Sequence, residues 1–197
     1  MFPIEEVSQE YWDKRWENEE TGWDLGGVSP PIQAYFDQFT NKEINILIPG
    51  CGNAHEAEYL YQLGFKNLTL LDISPNACQK IAARFPYESV KVVCEDFFEH
   101  EGSYDIIVEQ TFFCALPPEL RIRYAEKMKS LLTPNGKLVG VLFNRDFGNP
   151  FPPFGGNIEE YQAIFEKFFE VKILEVCKNS AAPRCNTEAF FVVQNSK

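Results

Sequence analysis

Apolar residues along this chain fall into two alternating spacings, one of period near 3.6 and one of short β-branched runs. From Ser8 to about Glu19, Tyr11, Trp12 and Trp16 share one helical face, and the Gly- and Pro-containing stretch from Thr21 to Pro31 breaks it. A second helix is expected from Pro31 to about Phe39, with Ile32, Tyr35, Phe36 and Phe39 inward and the prolines in its first turn. Ile44 to Ile48 then reads as a strand that stops at Pro49 and the turn Gly50-Cys51-Gly52. A helix from near Ala54 to about Leu63 follows, ended by Gly64. Leu68 to Leu71 is the next strand, closing on Asp72. Ser74 and Pro75 read as N-cap and first residue of a helix whose Ala77, Cys78, Ile81, Ala82 and Phe85 share a face.

The same alternation continues with strands Val90 to Val93 and Asp105 to Val108, a helix from about Pro118 to Leu132, a turn at Pro134-Asn135-Gly136 and a strand from Lys137 to Phe143. A helix from Ile158 to Phe169 and strands Val171 to Val176 and Ala189 to Val193 complete it, the last two able to pair as an antiparallel hairpin. Strands alternating with helices imply an α/β fold with right-handed crossovers and a mostly parallel sheet. The ligand site of such a sheet lies beyond the carboxyl ends of its strands.

Composition narrows the partners. The 197 residues fit one domain, and 45% hydrophobic with 15% aromatic content suits a packed globule. No apolar run reaches the ~18 to 20 residues of a membrane span, and the start Met-Phe-Pro-Ile-Glu-Glu lacks a secretory signal's basic head and apolar stretch, so a soluble, cytoplasmic protein is expected. A net charge of −11 argues against nucleic acid as partner. The cysteines include no C-x-x-C pair and there are two histidines, so no metal site is expected and the thiols read as mostly buried.

The chemistry-bearing residues sit after the strands. Gly50 and Gly52 let backbone approach a ligand closely, and the next helix aims unpaired N–H groups into the same space. Asp72, 20 residues after Gly52 at the end of the adjacent strand, can accept hydrogen bonds from both ribose hydroxyls. Dinucleotide sites want a third glycine where His55 stands, so the spacing favours a methyl-donor nucleoside over a pyrophosphate. Glu95-Asp96-Phe97-Phe98 places an acid and an aromatic within reach of an adenine, and Glu109 to Cys114 suits a cofactor tail beside an apolar acceptor pocket. Trp12, Trp16 and Trp23 either face a sulfonium cation and exclude water or pin the first helix to the sheet. An NAD-dependent oxidoreductase and a non-catalytic nucleoside-binding protein are the rival readings.

Trp12-Asp13-Lys14-Arg15-Trp16, Thr21-Gly22-Trp23, Ile48-Pro49-Gly50-Cys51-Gly52 and Gln110-Thr111-Phe112-Phe113-Cys114-Ala115 together resemble the thiopurine S-methyltransferase family, including its halide and thiol branch. The resemblance implies a Rossmann-like class I methyltransferase: a seven-stranded sheet with helices on both faces, an N-terminal helical lid over 1–40 and a catalytic core over 41–197. It implies S-adenosylmethionine as donor, S-adenosylhomocysteine as product, no metal, and a small-molecule methyl acceptor, in a monomer or weak dimer. By position, Trp12, Trp16 and Trp23 line the cofactor, Gly50 and Gly52 pass its amino-acid tail, Asp72 with Ile73 holds the ribose, Glu95, Asp96 and Phe97 flank the adenine, and Gln110 faces the methyl end.

Gln110, Phe112, Phe154 and Arg184 are the candidates to orient the acceptor. The thiopurine-active branch looks as if it has an arginine where Gln110 stands, which loosens the link to anionic aromatic thiols. Pro183-Arg184-Cys185-Asn186-Thr187-Glu188 is similar to a Pro-Arg-x-Gly-x-Glu stretch of the halide and thiol branch, so Arg184 is a candidate to attract an anionic nucleophile; an arginine in a hairpin loop is otherwise solvated. Phe151 to Phe154 looks like a lip over the acceptor pocket. A soft anionic acceptor such as thiolate, thiocyanate or iodide needs no general base, so no acid or base is expected.

Overall fold

The computed structural model describes residues 7–85 and 88–196; the Met1–Glu6 start, read above for a leader, lies outside them. The first helix, α1 (Gln9–Glu17), begins where the Ser8 hydroxyl accepts the Tyr11 N–H at 3.4 Å, a side-chain N-cap. It ends two residues before the expected Glu19. Helix α2 (Pro30–Phe36) has both prolines in its first turn, where their missing N–H groups leave no intrahelical bond unmade. Strand β1 (Asn45–Pro49) leads to α3 (His55–Gln62), β2 (Asn67–Asp72), α4 (Pro75–Arg84) and β3 (Val90–Cys94). Strand β4 (Tyr104–Gln110), α5 (Arg121–Leu131), β5 (Leu132–Phe143), α6 (Ile158–Phe165), β6 (Glu170–Val176) and β7 (Glu188–Gln194) follow.

The seven strands form one sheet in the order β3-β2-β1-β4-β5-β7-β6, parallel from β3 to β5, with β7 antiparallel to both its neighbours. This is a Rossmann-like α/β sheet with its last two strands antiparallel, as the resemblance implies. The last two strands pair as the sequence suggests, but β7 lies between β5 and β6, so the hairpin's first strand is at the sheet edge.

Strand β1 shows how the layers form. Its Ile46 and Ile48 join one apolar cluster with Trp16, Phe36, Leu60 and Ile81, while Leu47 joins the other with Tyr124, Met128 and Phe165. Alternate side chains thus bury the sheet under α1 to α4 on one face and α5 and α6 on the other. Burying a fully enclosed ring such as Phe36 contributes roughly 2 to 3 kcal/mol.

Helix α2 also ends at Phe36 rather than Phe39, and two further boundaries differ from the sequence reading for local reasons. The Pro134-Asn135-Gly136 turn is a bulge inside β5: Tyr104 pairs with Leu132 and Ile106 with Lys137, so β5 carries extra residues there. The Asn195 side chain donates to the Leu132 and Thr133 carbonyls at 3.1 and 3.2 Å, which satisfies the bulged backbone. Helix α6 stops at Phe165 rather than Phe169, yet Phe169 stays buried, because the chain turns there without leaving the core. Among the described residues no helix is long and apolar enough to cross a membrane.

Candidate active site

A cavity of about 790 Å3 opens between α1, the turn after it and the carboxyl ends of β1 to β4. Its floor is the turn after β1. Gly50 and Gly52 sit at φ +57° and +52°, a region costly for other residues, and both line the cavity. A Cβ on Gly50 would lie 2.4 Å from Phe112 Cδ2, so the Phe112 ring fills the space that a side chain there would need. On Gly52 a Cβ would meet Trp16 and Trp23 only at 3.8 Å, so the Gly52 backbone faces open cavity under the tryptophans.

Asp72 ties this turn to the next. One carboxylate oxygen accepts the Gly52 N–H and the other the Ser74 N–H, each at 3.0 Å. Asp72 also lines the cavity. Burial raises the Asp72 pKa above the ordinary carboxylate value; the N–H bonds oppose this and nearby Asp13 adds to it. Ile73 also lines the cavity.

The three tryptophans form one edge-to-face group, with Trp23 between Trp12 at 5.6 Å and Trp16 at 5.8 Å between ring centroids. All three line the cavity, and Trp16 is also a member of the core. Trp12 and Trp16 thus pack α1 against its neighbours, and with Trp23 they wall the cavity. Helix α1 is further held on α4 by a short Ser74–Asp13 hydrogen bond and by Lys80 lying over the Trp16 ring at 5.3 Å.

Each histidine holds a cavity-lining acid. His55 Nε2 lies 2.7 Å from Asp24 Oδ1, and the buried His100 shares Nδ1 with Glu95 Oε1 at 2.5 Å and Nε2 with the Tyr104 hydroxyl at 2.8 Å. Asp24 also accepts from the Gly26 N–H at 2.7 Å and from Asn53. Its burial would raise its pKa, but these bonds and the His55 ring outweigh that and hold it below the ordinary value. Glu95, Asp96 and Phe97 line the same wall, with Asp96 fixed by accepting the Phe98 N–H at 2.8 Å.

On the acceptor side the structure redistributes the expected residues. Phe112 lines the cavity, whereas Gln110 does not: Thr111, at φ +62°, turns inward in its place and its hydroxyl donates to the Gln110 amide oxygen at 2.8 Å. Phe154 is likewise buried behind the wall, its N–H donating to the Cys114 carbonyl at 2.7 Å, and Pro152 and Pro153 supply the lip. Phe143, Arg145 and Phe147 line this end too, beyond the residues expected from sequence; the aromatic spacing across the end of β5 is the available signal.

Arg184 is not the solvated loop residue that its position suggests. It is 7% exposed, lines the cavity, pairs with Glu188 at 3.3 Å and donates to the Trp23 carbonyl at 2.5 Å. It therefore clasps the turn after α1 to the core. Of the six thiols, Cys51, Cys78, Cys114 and Cys177 are buried, and Cys94 and Cys185 are exposed.

The buried acids set a pH dependence of stability. Burial pushes Glu109 up to about 7, against hydrogen bonds from Tyr124, Phe113 and Phe112 that favour the carboxylate, and burial also raises Glu56 and Asp72. Between about pH 4.5 and 7 the unfolded chain has released the Glu109 proton while the folded chain retains it, so stability falls as pH rises through this window. The fall from Glu109 is of the order of 3 kcal/mol. Denaturant titrations at pH 5 and 7.5 should show this decline, and Glu109→Gln should reduce it by the Glu109 share, leaving what Glu56 and Asp72 contribute; an equal decline in that variant would exclude Glu109 as a source.

Comparison with known proteins agrees with this architecture. The description of the thiopurine S-methyltransferase (TPMT) family matches residues 7–196. The chain is 30% identical over 167 residues to the probable thiol methyltransferase 2 of Arabidopsis thaliana, covering 82% of this chain and 74% of that protein. It is 27% identical to the thiopurine S-methyltransferase of Vibrio campbellii, over 81% of this chain and 82% of the other. Among solved structures, a 1,6-didemethyltoxoflavin-N1-methyltransferase of Burkholderia thailandensis superposes with a TM-score of 0.79 at 15% identity, covering 100% of this chain and 92% of that one. The chain therefore belongs to the thiopurine S-methyltransferase family and is an S-adenosylmethionine-dependent methyltransferase.

Proposed function

We propose that the protein transfers the methyl group of S-adenosylmethionine to a small soft nucleophile: a thiol, thiocyanate, a halide, or a selenium or tellurium species. The carrying observation is that one continuous cavity holds a nucleoside-type residue set at one end and an aromatic, arginine-bearing wall at the other, under three tryptophans. The names of the plant relatives, thiol and thiocyanate methyltransferases, support the acceptor class.

In this reading Asp72 and Ile73 hold the ribose, Glu95, Asp96 and Phe97 the adenine, and Gly50 and Gly52 pass the amino-acid tail beneath Trp12, Trp16 and Trp23. S-adenosylmethionine supplies an electrophilic methyl on a sulfonium. The tryptophan rings exclude water from that end and attract its positive charge. Phe112 and Arg184 orient the acceptor directly, while Gln110 acts through Thr111 and Phe154 through Cys114. An acceptor that arrives as an anion carries no proton to remove, so alignment and dehydration supply the catalysis and no residue is assigned as acid or base. The net charge of −11 supports a small-molecule rather than a nucleic-acid partner, for a monomer or weak dimer in the cytoplasm.

Calorimetry with S-adenosylhomocysteine should give saturable binding. A radiolabelled methyl-transfer screen over thiocyanate, iodide, small thiols and oxyanions of selenium and tellurium should then find turnover. Binding of NADH without S-adenosylhomocysteine binding would replace this reading with an oxidoreductase, and binding without turnover across the screen with a non-catalytic binder.

A further inference from the structure

Glu109 reaches neither solvent nor the cavity, yet three donors converge on it. Its Oε1 accepts the backbone N–H groups of Phe112 and Phe113 at 2.8 and 2.9 Å, and its Oε2 accepts the Tyr124 hydroxyl at 2.6 Å. The neighbouring strand makes room for it: a Cβ on Gly140 would stand 2.6 Å from Glu109 Cβ and 2.0 Å from its carbonyl oxygen. A carboxylate placed at such cost in desolvation is held by what it binds, and what it binds is the main chain of the loop leaving β4.

That loop touches both halves of the cavity. Phe112 presses its ring against Gly50 and packs on Phe97 at 5.0 Å between centroids. Thr111, held at φ +62° between Gln110 and the bound Phe112 N–H, lines the cavity with Cys114, whose thiol donates to the Thr111 carbonyl at 3.2 Å. The conformation at Thr111 is one that a threonine adopts only when its surroundings impose it.

We propose that Glu109 is a positioning residue that couples the two ends of the site: its carboxylate fixes the Phe112 main chain, and the Phe112 ring in turn fixes the Gly50 turn. The inference rests on the reading of that turn as the S-adenosylmethionine site. A residue that merely stabilised the core would lower the melting temperature without changing ligand affinity in step with Phe112.

The test is a double-mutant cycle on S-adenosylhomocysteine affinity, measured by calorimetry at pH 8. Glu109→Asp keeps the charge but withdraws the acceptor by one methylene, and should weaken binding about tenfold. Phe112→Ala should cost about the same, and the double variant no more than the larger single loss. Glu109→Gln keeps an acceptor oxygen at full length, with its amide N–H toward the Tyr124 oxygen, and should stay within about threefold of wild type.

Losses that multiply to about a hundredfold, wild-type affinity in Glu109→Asp, or a tenfold loss in Glu109→Gln would each overturn the coupling. If Glu109→Asp does not fold, the wild-type protein decides: S-adenosylhomocysteine should slow amide exchange at Phe112 and Phe113 at least tenfold, and unchanged exchange would overturn the proposal. Absence of S-adenosylhomocysteine binding in wild type would instead remove the functional reading on which it rests.

Discussion

Asp72→Ala is expected to weaken S-adenosylhomocysteine binding by roughly two to four orders of magnitude. A hydrogen bond to an ionised acceptor contributes about 1.5 to 3 kcal/mol, and two ribose hydroxyls lose theirs together. At about 1.4 kcal/mol per tenfold, the sum of about 3 to 6 kcal/mol sets that range. The same change strips the Gly52 and Ser74 N–H groups of their acceptor, so the glycine turn loses its tie to the end of β2. Asp72→Asn separates the two effects, because it retains one acceptor oxygen and the side chain's reach; an intermediate loss is expected. Calorimetry reads all three proteins, and undiminished affinity in Asp72→Ala would remove Asp72 from the site.

Arg184→Met should destabilise the protein by about 3 to 5 kcal/mol, because it leaves a buried carboxylate without its cation. The Arg184 and Glu188 side chains are 8% and 2% exposed, and Glu188 Oε2 already has no hydrogen-bond partner. For a chain of this size that loss lowers the melting temperature by roughly 10 °C. Glu188→Gln in the same chain should recover most of it, since the uncompensated charge is what makes the single change costly. The clasp on the Trp23 carbonyl is lost in both variants, so both should show looser packing of the tryptophan group by fluorescence. A solvated loop arginine would cost less than about 0.5 kcal/mol on replacement, and a change that small would refute the buried pairing.

The nucleoside end of the site was legible because its spacing is dictated by short-range geometry. A strand, a tight turn needing positive φ at Gly50 and Gly52, and an acid at the tip of the adjacent strand are fixed by one βαβ unit. The contacts that the sequence does not reveal depend on partners far along the chain. Arg184 meets the Trp23 carbonyl across 161 residues, and His55 meets Asp24 across 31. The family resemblance put Gln110 on the cavity; Thr111 takes the place because a buried carboxylate gathers the two N–H groups beyond it, an event that no periodicity encodes. Likewise β7 could be recognised as a strand and as the partner of β6, but its insertion beside β5 is a choice between edges that the pattern of β-branched residues leaves open.

That insertion has a consequence for the order in which a growing chain can fold. Along β6 the sheet partner is β7, which leaves the ribosome later, so β6 must wait unpaired while the turn after it and all of β7 are made. At about 5 to 20 residues per second this interval lasts on the order of seconds. Meanwhile the edge of β5 from Lys137 to Phe143, destined for β7, lies open. Ribosome pauses placed between β6 and β7 should therefore raise the yield of aggregated nascent chains more than pauses placed after β7.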